Sequence, residues 1–579
     1  MGFWIVIGEA IWMVALIVTA IMERRIISNK WRVLYVVPAL LTCMLAFCVG
    51  FNPYLVGMIV AGVLAIIQID MKKYIVKVAL SATGILALLG SLGPGEKAAE
   101  RIDFTGDFEK AFSTMKEHYV LDIEKGIDWD ALYAEYAPKF AQVTKSQDQL
   151  EGYTLWQEYV KNFYDGHVSF QAGDLFKGEK IFAAYGNDYG LSMIRLSDGR
   201  FVAVNVEGAS DETKNGNKKG YSVMDESDLF AETSKLRAAD ASDKRLTLKD
   251  AGIHNGTVIT KWNGKDVNEW YEDVRCYLFQ CPDRENELFY LPMYVAGIGQ
   301  ESVEIDFLDD DGKEKRIQAP RLGAYLGRLY STLDQLDQGL NISNLDFQEI
   351  NEDTVLLRIY TMSYDTKSYM GTDYSKMIDK IRPKVIEYKE RGMKNLVIDL
   401  RKNGGGSPFM VAGVVSLFAP EEEQSYYFSA VLNEETGTFE RGADGKYQKG
   451  IETTYSGENL WKDGKIIVLV NGETVSAGDD MTNIMAKFPN VWIMGFTKSN
   501  SSCQAVTRVG VSGGSISFSA VPNLDADGNV IIDTGTDHVG RVPCDEIVPL
   551  TQDSVQRIFD DGEDILLNYA VSSFETLEP

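Results

Sequence analysis

Between residues 33 and 69 the chain carries no charged side chain, and this uncharged run is interrupted only by the turn Phe51-Asn52-Pro53. About 20 apolar residues are enough to cross a bilayer. Residues 2–22, apolar apart from Glu9, precede the run, and a further apolar block follows over 74–92. Four crossings are therefore expected, over 2–22, 33–51, 54–69 and 74–93, the last two short and needing little tilt. Lys and Arg are retained on the cytoplasmic side. Arg24, Arg25, Lys30 and Arg32 follow the first span, Lys72, Lys73 and Lys77 follow the third, and the turn at Asn52 has no basic residue. Both basic loops then face inward, and everything beyond residue 93 is expected outside the cytoplasm. A cleaved leader accounts for one such segment, not four. Glu9 is too little for an ion path, so a transporter is disfavoured.

The remainder is a different kind of polypeptide. Of 579 residues, 57 are Lys or Arg and 84 are Asp or Glu, a net charge of −27, while 45% are hydrophobic. That excludes a disordered chain, and the length implies several domains. The first hundred residues hold eight basic and five acidic side chains, so the acidity lies in the body. Such a surface repels phosphate, and nucleic-acid binding is not expected. Six cysteines are too few for a disulfide scaffold in a chain this long. Cys43 and Cys48 fall within the second span; Cys276 with Cys281, or Cys503 with Cys544, remain open as pairs. No zinc-type spacing occurs, and no metal or organic cofactor is expected.

Beyond residue 95 three patterns follow one another. Over 96–178 the spacing of Phe108, Phe112, Met115 and Tyr119 is helical, predicting a helical cap that closes on Asp165-Gly166-His167. Over 179–325 short alternating strands (191–196, 201–206, 258–259) and the turn Asn263-Gly264 predict a small β module, with the polar stretch 207–247 as a surface insertion. Over 326–579 apolar runs at 396–398, 466–470 and 491–494 alternate with helical segments at 375–391 and 479–488. That pattern predicts an α/β core whose sheet is buried on both faces.

The chemistry gathers where those strands end. After 466–470 the chain turns and presents Ser476-Ala477-Gly478 at the start of a helix, where unpaired N–H groups at the positive end of the dipole can hold an oxyanion. A lone serine in that place is more often only an N-cap. After 396–400 comes Arg401-Lys402-Asn403-Gly404-Gly405-Gly406. Three glycines let backbone approach a ligand closely and offer further N–H donors, and no Gly-Lys-Ser/Thr follows to make it a phosphate loop.

Taken in order, Asp165-Gly166-His167, Ala251-Gly252-Ile253 to Asn263-Gly264, the Asp399-Leu400-Arg401 to Gly406 loop, Ser476-Ala477-Gly478-Asp479, and the tail from Gly540 to Asp545 with Gly562-Glu563-Asp564 resemble the C-terminal processing (tail-specific) serine peptidases and the related tricorn protease core. The resemblance covers roughly 103–579. It implies an α/β peptidase core with a mixed sheet, an inserted PDZ-like β module, a helical N-terminal cap, and the four transmembrane helices outside the likeness. It implies Ser476 as acylating nucleophile, with Ala477 and the glycines Gly405 and Gly406 as oxyanion hole. One branch of the family uses a downstream lysine as base; here Lys498 lies about three positions early and Ser501 occupies its place. The tricorn branch uses a histidine, matched by His167, with a carboxylate as third member at Asp537. The PDZ-like likeness places Tyr189-Gly190-Leu191 at a peptide's terminal carboxylate, with the neighbouring strand adding the peptide by β-augmentation.

The reading is then a membrane-anchored, extracytoplasmic serine endopeptidase acting on exported or membrane proteins and peptides. Ser476 forms the acyl-enzyme and His167, or alternatively Lys498, is the base. The rival is a catalytically inactive, membrane-anchored protein that binds or senses peptides.

Overall fold

The computed structural model describes residues 101–578 apart from 174–175, 177–183, 207–246, 273, 275–279, 338–344 and 364–374. The four expected crossings and the insertion 207–247, save its last residue, lie outside the described residues; among these no helix is long and apolar enough to cross a membrane. Residues Ile102–Pro579 form one compact unit.

Three helices open it, each started by an aspartate whose carboxylate accepts N–H groups of the first turn: α1 (Phe104–His118) by Asp103, α2 (Trp129–Ser146) by Asp128 and α3 (Gln149–Lys161) by Asp148. The helical period puts Phe104, Phe108, Phe112 and Met115 on the buried face of α1. Phe108 stacks on Phe140 of α2 with centroids 4.8 Å apart and meets Tyr159 of α3 edge-on. The chain leaves α3 through Asp165-Gly166-His167 into β1 (Ser169–Ala172).

Next comes a six-stranded antiparallel sheet whose main path runs in the order β2 (Ser192–Arg195), β3 (Phe201–Val204), β4 (Val258–Trp262), β5 (Ser302–Leu308), β6 (Glu314–Pro320), with the two-residue strand Lys265–Asp266 paired to β4 off that path. Helix α4 (Arg284–Val295) is inserted between β4 and β5. Here the structure departs from expectation. Tyr189 and Leu191 are 1% and 0% exposed, and the Gly190 N–H donates to Asp188 Oδ1 at 2.8 Å. Asp188 is itself clasped by the Arg328 guanidinium, with Nε at 2.6 Å and Nη2 at 3.1 Å. The Gly190 N–H expected for a peptide carboxylate is thus satisfied by the chain's own aspartate, which the Arg328 guanidinium holds in place. The boundary at 325 also shifts, because α5 (Leu326–Leu336) packs Leu329, Leu333 and Leu336 into this module's core.

The third region centres on a six-stranded sheet. Its order is β7 (Leu345–Glu349), β8 (Thr354–Ile359), β9 (Asn395–Asp399), β12 (Lys465–Val470), β13 (Val491–Gly495), β16 (Glu546–Ile547), parallel throughout except the edge strand β7. Alternation along the strands divides the apolar runs between two cores. Leu396, Ile398, Ile466 and Val468 face α6 (Ser375–Glu390), α7 (Pro408–Val415) and α8 (Ala477–Met485). Val397, Ile467, Leu469 and Met494 face α10 (Ile565–Ser573). Helix α9 (Gln552–Asp561) sends Val555 and Ile558 into the core of the β module. Two outer sheets complete the unit, β10 (Gln424–Ala430) with β11 (Lys449–Tyr455), and β14 (Ala505–Val511) with β15 (Gly514–Val521), to whose far side β1 is added. Cys281, Cys503 and Cys544 are free thiols, so Cys503 and Cys544 are not bridged.

A buried ion network locks the end of β9. Arg401 Nη2 lies 2.8 Å from Asp399 and 2.7 Å from Asp564, the N-cap of α10, and Arg401 and Asp399 side chains are each 1% exposed. Burial opposes the charge, but the Arg401 guanidinium holds Asp399 below the ordinary carboxylate range. Removing one member of such a network leaves a buried charge uncompensated. Arg401→Met should cost about 3–5 kcal/mol, measured as a lower urea midpoint of the full chain; a cost within experimental error would show that the network contributes no stability.

Candidate active site

Strands β9 and β12 are parallel neighbours, with Asp399 opposite Leu469, so the loops leaving their carboxyl ends meet at one edge of the sheet. Ser476 stands where the β12 loop becomes α8. Its backbone has φ 61° and ψ −122°, a left-handed conformation that costs a non-glycine residue about 1–3 kcal/mol and persists only when surroundings enforce it. The enforcing contacts are visible. The Ser476 N–H donates to the Ser502 carbonyl at 2.9 Å, its carbonyl accepts the Asp480 N–H at 3.0 Å, and the Val475 N–H donates to the Asn403 carbonyl at 3.0 Å. Thr474 Oγ1, fully buried, donates to the Leu400 carbonyl at 2.8 Å and so ties this loop to the end of β9.

The glycine loop lies directly against the serine. A Cβ on Gly405 would sit 2.5 Å from Ser476 Cβ and 3.0 Å from the Ala477 nitrogen, and Gly405 has φ 88°. Only glycine tolerates both. Gly405 is not the donor that the sequence suggests, because its N–H donates to Asn403 Oδ1 at 2.9 Å. Gly406 is bridged in parallel fashion to Met362: the Met362 N–H donates to the Gly405 carbonyl and the Ser407 N–H to the Met362 carbonyl, each at 2.8 Å. That pattern turns the Gly406 N–H away from Met362. Among the described residues neither it nor the Ala477 N–H, at the first position of α8, has an acceptor. Two N–H groups without an acceptor thus follow directly on the two residues that meet, Gly405 and Ser476, and oxyanion stabilisation calls for such donors.

His167 reaches the same place by way of Ser502. The Gly166 N–H donates to Ser502 Oγ at 2.8 Å, while the carbonyl of the same serine holds Ser476. Asp165, fully buried, shapes the turn: it accepts the His167 N–H at 2.8 Å on one oxygen, and Ser519 Oγ at 2.8 Å and the Tyr119 hydroxyl at 3.1 Å on the other. Burial pushes the His167 imidazole below its ordinary pKa, against the Asp165 charge and the Gln504 carbonyl, which favour protonation. The ring is therefore neutral at pH 7, as a base must be. Among the described residues its buried Nδ1 has no hydrogen-bond partner, and no hydrogen bond joins the ring to Ser476.

Two expected residues stand elsewhere. Asp537 is half exposed and paired with Arg541 at 2.7 Å, an i,i+4 surface pair one residue from His538, whose ring lies on Tyr164. The carboxylate that acts on His167 is Asp165, two residues before it. Lys498 Nζ lies 3.6 Å from Asp283, the N-cap of α4, and its backbone is pinned on both sides by Asn286. That engagement with the β module, rather than with Ser476, follows from its early position in the loop. Asp165 and Asn403 stood in the sequence only as members of their motifs, with no role of their own, and Ser502 was missed. Asn403 had a signal, a carboxamide at the exit of a buried strand; Ser502 sits in an irregular stretch and had none. Below Ser476, Asp479 accepts the Ser501 and Ser502 N–H groups at 2.9 and 3.0 Å, and burial pushes its carboxyl up to about 7 against those donors.

A serine in strained backbone at a strand-to-helix junction, a glycine held against it and two outward N–H groups define a centre suited to acyl transfer. Residues 353–538 match peptidase family S41 and residues 101–149 match the tricorn protease C1 domain. The chain thus carries a region matched by peptidase family S41, preceded by one matched by the tricorn protease C1 domain. Among solved structures, mature CPAF complexed with lactacystin shares the fold, with TM-score 0.50 at 11% identity over 81% of this chain and 99% of that one. The photosystem II D1 C-terminal processing protease gives 0.32 at 14% identity over 80% and 98%. The tricorn protease gives 0.33 at 13% identity over 81% and 36%. No curated protein matches the chain in sequence.

Gly405→Ala should lower the rate of Ser476 phosphonylation by a fluorophosphonate at least about 100-fold, since displacements of about 1 Å at a reacting group have that effect. Gly404→Ala, whose methyl would meet nothing within 4 Å, should stay within about twofold of the parent rate, as open surface substitutions do. Equal rates for the two variants would contradict the close-approach argument.

Proposed function

We propose that this protein is a membrane-anchored serine endopeptidase of proteins and peptides, with Ser476 as nucleophile and His167 as base. The observation that carries the reading is the strained Ser476 backbone at the head of α8 with Gly405 pressed against it. Ser476 Oγ attacks the scissile carbonyl while His167 takes its proton. The oxygen, now negative, is held by the Gly406 and Ala477 N–H groups. The imidazolium returns the proton to the leaving amine, and water, activated by the same ring, hydrolyses the acyl-enzyme. Asp165 is the carboxylate that favours the imidazolium as it forms. Recognition of carboxyl-terminal tails at Tyr189-Gly190-Leu191 would require Asp188 to give up the Gly190 N–H, so the substrate class proposed has no terminal requirement.

The unpartnered Nδ1 of His167 favours a second reading, a peptide-binding protein without catalysis. Fluorophosphonate labelling of the full chain separates the two. Labelling should be abolished in Ser476→Ala, fall by about 10²–10⁴ in His167→Ala, the usual range for a general base, and persist in Lys498→Ala. Because burial lowers the His167 pKa, the neutral base is present above that pKa. The labelling rate should rise with an inflection below 6.5 and stay flat through pH 8. An inflection well above 7, lost with Lys498, would assign the base to lysine, and no labelling of the folded parent would favour the inactive reading.

The anchor is proposed on hydropathy and loop charge: four crossings within 1–95 and the peptidase on the extracytoplasmic side, where exported and membrane proteins are its substrates. The full chain should stay in the membrane pellet after alkaline carbonate washing, and protease added outside intact cells should reach residues beyond 95. Release by carbonate would contradict the anchor.

A further inference from the structure

The strand β14 begins three residues after Ser502, and it is an edge strand, in the order β1, β15, β14. Which way its backbone groups point can be read from its partners. The Gly513 carbonyl accepts the Gly173 N–H and the Ser519 carbonyl accepts the Val120 N–H, so the odd-numbered residues of β15 face the β1 side. Val506 pairs with Ser519, Arg508 with Ser517 and Gly510 with Ser515. In an antiparallel ladder a residue opposite one that faces away also faces away. Val506, Arg508 and Gly510 therefore aim their N–H and C=O groups out of the sheet. Gly510 confirms the parity, since its carbonyl accepts Lys110 Nζ of α1 at 2.8 Å.

The two ends of this edge differ. At the far end α1 closes it, through Lys110 on Gly510 and through Asp107, which accepts the Ser512 N–H at 2.8 Å. At the near end, residues 505–508 are all exposed, and among the described residues the outward groups of Val506 and Arg508 have no partner. Val506 and, across the bulged end of the ladder, Val521 are 45% and 43% exposed. Proteins ordinarily cover or charge an open apolar edge of this kind because it recruits other strands. The open stretch leads into the site: the Ser502 carbonyl holds Ser476 and the Gln504 carbonyl lies against His167.

We propose that the β14 edge over residues 505–508 is the docking rail for substrate. An extended, unfolded segment of a protein pairs with the outward groups of Val506 and Arg508 and rests apolar side chains on Val506 and Val521, which delivers its scissile carbonyl to Ser476. Four residues of strand span about 13 Å, enough for a segment on one side of the scissile bond. The inference rests on the peptidase reading above and adds to it how substrate is held and that it must be unfolded locally.

The test compares two reactions of the full chain: hydrolysis of fluorescein-labelled casein, an unfolded protein, and labelling by a small fluorophosphonate that cannot reach the edge. Proline at an outward edge position removes a donor to substrate without removing a ladder bond. In Val506→Pro casein hydrolysis should fall at least about tenfold more than labelling, a loss of about 1.4 kcal/mol in transition-state binding. Val506→Ala keeps the N–H and trims only the apolar rest, so it should lower the ratio of the two rates by less than Val506→Pro does. A ratio unchanged in Val506→Pro overturns the docking proposal while leaving the peptidase reading intact; absence of labelling in the parent overturns the peptidase reading itself. A shift from dimer to monomer on sedimentation of Val506→Pro, with the ratio unchanged, would assign the edge to a second copy of the chain. A second measurement needs no variant: backbone N-methylation along a cleaved peptide should suppress cleavage at alternate residues on one side of the scissile bond, and loss without that period of two contradicts pairing.

Discussion

The backbone of Gly405 lies so close to Ser476 that a single added methyl would be 2.5 Å from the serine Cβ. Two loops, from two neighbouring parallel strands, meet there without a side chain between them. Asn403 maintains the meeting from within, because its carboxamide accepts the Gly405 N–H, donates to the Ile359 carbonyl at 2.8 Å, and its own carbonyl accepts the Val475 N–H. Below it, Arg401 ties Asp399 to Asp564, fixing the strand end to the last helix. The strain in Ser476 is thus borne by a buried polar framework, and the same framework leaves the Gly406 and Ala477 N–H groups facing out.

The helical cap is as much a part of the site as the α/β core. It carries His167 on a turn whose shape is set by Asp165, and Asp165 is held from two directions, by Tyr119 at the end of α1 and by Ser519 of β15. Lys125, also buried, donates to the Tyr164 carbonyl at 2.8 Å and contacts Thr534. Cap and core therefore share one polar seam, and the segment 499–504 runs along it. Its serines serve both sides: Ser502 joins the histidine turn to Ser476, and Ser501 Oγ accepts the Val542 N–H at 3.3 Å. The lysine expected in this segment by one branch of the family is replaced by residues that stitch the site together.

Much of the architecture was legible in the sequence because it follows period and punctuation. The apolar runs at 396–398 and 466–470 became central strands, and the helical spacing of Phe108, Phe112 and Met115 became the buried face of α1. Gly405 meets Ser476 and Ala477 where two strand-end loops come together, as their places in the sequence suggested. What was not legible depended on contacts distant in the chain. Nothing local tells that Asp188 would occupy the Gly190 N–H with Arg328 behind it, that Asp537 would pair with Arg541 at the surface, or that Lys498 would turn to Asp283. A carboxylate or lysine at the right sequence distance has several possible partners, and long-range packing chooses among them. Gly405 shows the same limit at finer scale, since its flexibility was evident and the destination of its N–H was not.

We propose that the Gly406 and Ala477 N–H groups form a preorganised oxyanion site for Ser476. A crystal structure of the chain after fluorophosphonate treatment tests it directly. The expected result is a phosphonyl group bonded to Ser476 Oγ with its free oxygen about 2.7–3.1 Å from both the Gly406 and Ala477 nitrogens, the range expected of oxyanion donors. An adduct on Ser476 whose oxygen lies beyond reach of either nitrogen, or an adduct on another residue, would contradict it.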